Sequence, residues 1–154
     1  MALEMSGSYD IPAPRAKVWA ALNNAEVLKA AIPGCEALEM VSDSELKAVV
    51  VAKVGPVKAK FKGTVLLSEM EPPESYRISG EGEGGIAGFA KGGASVRLTE
   101  TESGTKLDYT ADAQIGGKLA QLGQRLVAGT ARKLADEFFK NFAEAVGEGT
   151  AAGE

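Results

Sequence analysis

The 154-residue chain has no histidine, one cysteine and one tryptophan. The missing histidine removes the commonest general base and the commonest metal ligand together. With only one cysteine beside it, zinc, haem and copper sites become poor candidates. One cysteine also forms no intramolecular disulfide, so nothing points to an oxidising compartment. Basic charge is not in surplus. The 17 Lys and Arg stand against 21 Asp and Glu, a formal net charge of -4, so no cationic field invites nucleic acid. The five Phe, three Tyr and one Trp are too scattered for a base-stacking platform. No run approaches the roughly 20 apolar residues of a membrane span. The opening MALEMSGSYDIP has neither the basic nor the apolar region of a secretory signal. A cytoplasmic protein of one domain is expected, over 1–146, with a disordered tail at 147–154.

What the chain does have is alternation. LEMSGSYDI (3–11) reads as a first strand, ended by Pro12 and Pro14. Pro14 suits the first turn of a helix through RAKVWAALN, and AEVLKAAI gives a second short helix that must stop before Pro33-Gly34. Strands then follow: CEALEMVS, SELKAVVVAKVG and VKAKFKGTVLL. In the last of these Val57, Ala59, Phe61, Gly63, Val65 and Leu67 face one way and Lys58, Lys60, Lys62 and Thr64 the other. That period of two means a sheet with one wet face. YRISGEGEG, ASVRLTE and TKLDYTADAQI continue the pattern, with GGIAGFAKGG as a glycine-rich connection. From Gly116-Gly117 to about Val146 an apolar stripe of Leu119, Leu122, Leu126, Leu134, Phe138 and Phe142 predicts one long helix. The expectation is an α+β fold: a curved antiparallel sheet of six to seven strands around a long C-terminal helix, with two short helices after the first strand.

The inward positions are small: Ala48, Ala52, Ala59, Gly63, Gly80, Gly82, Ala94, Ala111 and Ala113. Small side chains on facing walls either let the walls meet or leave room between them. In the second case an apolar cavity forms, of the kind that takes small molecules. Its expected lining is Phe61, Gly63, Tyr76, Ile78, Phe89, Leu107, Tyr109, Ala111, Leu122 and Leu126. Tyr76, Tyr109 or Gln121 would orient a polar head group.

Other motifs carry less. Cys35, in AAIPGCEAL, follows a helix C-terminus and precedes Glu36. Both neighbours favour the protonated thiol, and no histidine exists to activate it. Its reading is structural. Glu81 and Glu83 share a strand face and fit solvent better than acid–base work. EGEGGIAGFAKGG lacks the Walker lysine and the strand–GxGxxG–helix context. Ile86 and Phe89 in this stretch either touch a partner or membrane at a cavity mouth, or Phe89 plugs the barrel end. Lys58, Lys60 and Lys62, with Lys47 and Lys53, form a positive ladder that keeps the outer face soluble or meets an acidic partner or anionic lipid.

LKAAIPGCEAL, VGPVKAKFKGTV, GIAGFAKGGASVRL and GKLAQLGQRLVAGTARKLADEFFKNF together resemble the CoxG family of carbon monoxide dehydrogenase accessory proteins. That family lies within the START-like, or polyketide cyclase-like (SRPBCC), helix-grip superfamily. The resemblance spans residues 1–146 and rests on the combination of IPGCE, GPVKAKFKG and ARKLADEFF. It implies a helix-grip fold and an accessory, non-enzymatic protein of a molybdenum-containing carbon monoxide dehydrogenase system. No catalytic residue, metal or tightly bound cofactor is implied, and the interior would take a quinone or lipid. The implied partners are the dehydrogenase and, peripherally, the inner face of the cytoplasmic membrane. Longer members carry a further C-terminal linker and apolar segment. This sequence ends in TAAGE, so it is a short member or one whose extension follows. Two other readings stay open: an adaptor or assembly factor with no ligand role, and a cyclase or hydrolase on the same scaffold.

Overall fold

The computed structural model describes residues 1–152, with side chains through Val146. The chain runs β1 (Ala2–Ile11), α1 (Arg15–Leu22), α2 (Ala25–Ala31), β2 (Cys35–Ser42), β3 (Glu45–Val54), β4 (Val57–Glu71) and β5 (Ser75–Glu83). A one-turn 3-10 helix (Gly85–Ala87) leads to β6 (Phe89–Thr101), β7 (Gly104–Gly116), α3 (Lys118–Gln121) and α4 (Gln124–Ala152). The tail expected at 147–154 falls on side chains that are not described and, for 153 and 154, outside the described residues. The backbone is helical to Ala152.

All seven strands form one antiparallel sheet in the order β1-β7-β6-β5-β4-β3-β2. Consecutive strands pair as hairpins from β2 to β7, and β1 closes onto β7. This is the architecture that the alternating pattern implies, with α1 and α2 between the first two strands. Asn24 caps α2 by accepting from the Glu26 and Val27 amides, as short polar residues do at helix starts. Pro33 and Gly34 then turn the chain. Gly34 has φ +76°, and a Cβ there would lie 2.1 Å from the Val51 carbonyl oxygen, so only glycine fits this junction.

Two elements differ from the sequence expectation. β6 begins at Phe89, five residues before the expected ASVRLTE, because Gly92 and Gly93 lie inside the strand. A Cβ on Gly92 would stand 2.1 Å from the Asp112 carbonyl oxygen. These glycines therefore permit close backbone approach rather than forming a loop. The long helix is also interrupted. α3 ends at Gln121, and Gly123, at φ +93°, separates it from α4.

Two separate apolar clusters hold the layers together. The larger joins Ile11, Val18, Leu22, Leu98, Leu107, Tyr109 and Phe142 under α1, α2 and the second half of α4. Tyr9 stacks on Phe139 with ring centroids 4.3 Å apart, and Trp19 meets Tyr76 edge-on at 5.2 Å, geometries that favour aromatic pairs. The smaller cluster gathers Leu3, Val54, Ile115, Leu119 and Val127 at the opposite end. Three side-chain bonds fasten α4: Tyr9 hydroxyl to Asp136 at 2.5 Å, Asn141 to the Ala31 carbonyl at 3.1 Å, and Gln124 to the Ala2 carbonyl at 3.4 Å.

Thr105 is the one buried polar residue among the described side chains, and its hydroxyl donates to the Ala13 carbonyl at 2.7 Å. Thr105→Val strands that carbonyl, so thermal or urea unfolding is expected to show a loss of about 1–3 kcal/mol. Burial pushes the Tyr76 hydroxyl well above its ordinary 10.0. The folded protein then keeps a proton that the unfolded chain releases above pH 10. The contribution is therefore complete below that pH and lost as pH climbs toward the folded value. Tyr76→Phe is expected to leave urea midpoints near pH 7 almost unchanged and to flatten the decline on the alkaline side.

Candidate functional site

Register decides which side chains share the concave face. Across the sheet, Leu38, Ala48, Gly63, Gly82, Ala90 and Ile115 form one inward row. Beside it run Val65, Gly80, Gly92, Ala113 and Leu3, then Leu67, Ile78, Ala94, Ala111 and Met5. The middle of the sheet is thus floored by glycine and alanine over several adjoining strands. The two apolar clusters lie on either side of this floor, and Met5, at its β1 edge, is the side chain that packs against both.

Over the floor lies an apolar hollow of about 340 Å³, bordered chiefly by Ala48, Val50, Phe61, Gly63, Val65, Gly80, Gly82, Ala90, Gly92 and Ala113. No α4 residue borders it. Sheet and helix therefore diverge here, where no large side chain spans the gap. The glycines have two different causes. Gly63 is obligatory for the backbone, since a Cβ would stand 2.4 Å from the Glu81 carbonyl oxygen. At Gly80 and Gly82 the nearest atoms would be 3.5 Å and 3.8 Å away, ordinary contact distances, so those two positions leave room rather than relieve a clash.

The expected cavity residues separate into three groups. Phe61 and Gly63 border the hollow. Ile78 and Ala111 lie on the same concave face but pack against the larger cluster, and Tyr76, Leu107 and Tyr109 are buried within it. Leu122 packs with the smaller cluster, while Leu126 is 40% exposed beside Gly55. Phe89 is the clear correction. It pairs with Glu83 and Gly116 in a row on the outer face, lies over Gly116 and is 46% exposed. The alternation that puts Ala90 inside puts Phe89 outside. Gln121 is exposed on α3. Sequence reasoning missed Val50, Val65 and Ala90 as lining residues, although their parity was readable.

The concave face can bind but offers little for proton transfer. Its titratable groups are Tyr9, Cys35, Tyr76 and Tyr109; the three rows that floor the hollow contain no carboxylate, lysine or arginine, and Glu100, in register with Thr105 at the far edge, pairs with Arg15. Burial and the bond to Asp136 push the Tyr9 hydroxyl far above its usual range, so it stays protonated at neutral pH. Cys35 opens β2, half-buried, with its thiol 3.4 Å from the Ala37 carbonyl. Burial raises its pKa against the opposing influences of that bond and of Lys29. A raised value keeps a thiol unreactive at neutral pH. Among the described residues no group of three or more His, Cys, Asp or Glu could hold a metal ion.

A larger depression, about 720 Å³, lies on the outer face among Ser6, Ser8, Arg77, Ser95, Arg97 and Asp108. Its lining carries charges of both signs. Arg77 already donates to Ser95 at 3.1 Å and approaches Asp112 at 3.7 Å, as on a solvated sheet face. Glu81 faces Lys91 there, Glu83 faces Lys62, and Lys60 pairs with Glu36 at 3.1 Å.

The family model for the carbon monoxide dehydrogenase protein CoxG matches residues 7–147. No curated protein matches the chain. Among solved structures, a conserved protein from Geobacillus kaustophilus is similar at 31% identity and a TM-score of 0.88, covering 95% of this chain and 96% of that one. The Zhui aromatase/cyclase from Streptomyces sp. R1128 shares 14% identity at a TM-score of 0.68, over 95% of this chain and 94% of that one. Norcoclaurine synthase from Thalictrum flavum shares 14% identity at a TM-score of 0.62, over 95% and 94%. The last two likenesses establish the helix-grip fold, in agreement with the expected class.

The two kinds of glycine should respond differently to a methyl group. Gly63→Ala is expected to lower stability by about 1–3 kcal/mol through forced backbone movement. Gly80→Ala, in mid-strand with room for a Cβ, is expected to raise it by about 0.5–1 kcal/mol. Thermal unfolding of both variants tests the distinction.

Proposed function

Because the chain belongs to the carbon monoxide dehydrogenase CoxG family, we propose that it is a non-enzymatic accessory protein of a carbon monoxide dehydrogenase-type molybdenum hydroxylase system. It binds a quinone or lipid in the hollow over the glycine–alanine floor and links the dehydrogenase to the membrane. The observation that carries this reading is the glycine–alanine floor with open apolar space above it. Its volume is near the lower end of the roughly 300–1,000 Å³ of small-molecule sites. It suits a flat ring or the first part of an apolar tail, with the remainder continuing between the two clusters.

Binding is driven by removing apolar surface from water, about 25 cal/mol for each Å². The protein forms no bond to its cargo and needs no cofactor of its own. The absence of any carboxylate from the three rows that floor the hollow favours this reading over a cyclase or hydrolase. No helix among the described residues is long and apolar enough to cross a membrane, so the link proposed for this part of the chain is peripheral.

Equilibrium dialysis against a short-chain quinone, together with native mass spectrometry of gently purified protein, tests the proposal. Saturable binding or a retained apolar passenger is expected. Gly80→Leu, which projects into the hollow from a position with room for a Cβ, is expected to weaken binding about tenfold or more, equivalent to about 1.4 kcal/mol. No binding and no passenger in the folded wild type would overturn it.

A further inference from the structure

The two ends of the sheet differ in charge and in exposed apolar surface. At one end lie the β2–β3, β4–β5 and β6–β7 turns. They carry Asp43 and Glu45; Glu69, Glu71 and Glu74; and Glu100 and Glu102, with no lysine or arginine between 42 and 45, 69 and 74, or 99 and 103. At the other end lie the β3–β4 turn, the β5–β6 connection and the passage from β7 into α4. Lys53 and Lys58 face each other beside the first of these, and Lys118 and Arg125 flank α3. The N-terminal ammonium joins them, donating to the Ile115 carbonyl at 2.9 Å. Of the nearby acids, Glu36 is held by Lys60 at 3.1 Å, and Glu83 lies cross-strand from Lys62. A chain of net charge -4 therefore has one basic pole.

The same pole exposes apolar side chains. Ile86 is 87% exposed, more than any other large hydrophobic residue described, and Phe89 and Leu126 are 46% and 40% exposed. Ile86 does not hang on a loose loop. The Gly84 amide donates to the Gly88 carbonyl at 2.8 Å across the base of its turn, and Ala87 beside it is buried. Gly88 packs so closely on Gly116 and Gly117 that a Cβ would meet the Gly116 carbonyl oxygen at 1.9 Å. Beneath the turn, Gly84 sits against the ring of Phe61, which walls the hollow. A braced isoleucine thus projects beside the cavity at an end of the sheet where lysine and arginine outnumber the acids.

We propose that this pole, with Ile86 projecting from its β5–β6 connection and Lys53, Lys58, Lys118 and Arg125 at the same end of the sheet, docks on an anionic lipid surface and holds the hollow against the bilayer. The proposal rests on the reading that the hollow takes a lipid-soluble molecule, because such cargo enters from a lipid phase. A protruding aliphatic side chain on an end of the sheet that also carries cations suits the headgroup–acyl boundary. The acidic turns at the far end are repelled from the same surface, which sets the orientation.

Vesicle flotation of the full chain tests this, using vesicles of phosphatidylcholine alone and of phosphatidylcholine mixed with phosphatidylglycerol. Binding only to the anionic vesicles, weakened by added salt, is expected. Ile86→Asp should reduce it by about tenfold or more, and Lys53→Gln or Lys118→Gln by about fivefold each. Quinone dialysis without vesicles should be unchanged in these variants. Equal flotation of Ile86→Asp and wild type would overturn the proposal. So would failure of the wild type to float, which would turn this surface toward an acidic protein partner. Flotation as expected with no quinone bound in any form would uphold the docking surface and defeat the cavity reading instead.

Discussion

The fold depends on how closely neighbouring strands can approach at positions with no side chain. At Gly63 and Gly92 an added Cβ would fall well inside van der Waals contact distance of a carbonyl oxygen on the next strand. The sheet can coil tightly there only because those positions are bare. Coiling brings its ends around α1, α2 and α4, while the bare centre offers nothing large enough to reach the helix. One constraint thus gives both the grip and the gap beneath it. A well-packed interior leaves few voids larger than a water molecule, so a gap of this size between two complete apolar clusters needs a cause. The floor of glycine and alanine supplies it.

Most of the architecture is legible in the sequence because its signals are local. The Lys58, Lys60, Lys62 ladder sets the parity of β4, and Pro33-Gly34 sets the end of α2. The small residues read as inward occupy the concave face in the observed register. Phe89 escapes this reading because the glycines after it look like a loop. Once β6 is extended back through Gly92, the period of two puts Ala90 inward and Phe89 outward. Leu126 escapes it for a related reason. A stripe drawn from Leu119 onward assumes one helical phase, and Gly123 resets that phase so that Val127 is buried instead.

The remaining misassignments concern depth along a strand, which alternation does not encode. Tyr76, Leu107 and Tyr109 point inward as read. Whether an inward residue meets core or open space depends on what descends on it from the other layer. Here Trp19 of α1 meets Tyr76, Phe139 of α4 stacks on Tyr109, and Leu107 lies in the same cluster, while at Gly80 the nearest atoms belong to the neighbouring strand. The charge polarity is hidden for the same reason. Net composition says acidic, and only the antiparallel order shows which turns share an end.

The lining of the hollow has a consequence for what could occupy it. Glycine and alanine present backbone and methyl groups, with few directional donors or acceptors pointing inward. Such a surface sorts guests by girth and oiliness, and is nearly blind to the substituents on a ring. A cell could then exchange one lipid-soluble carrier for a chemical cousin without altering a residue of this container, whereas widening the guest by a single branch would be felt at once.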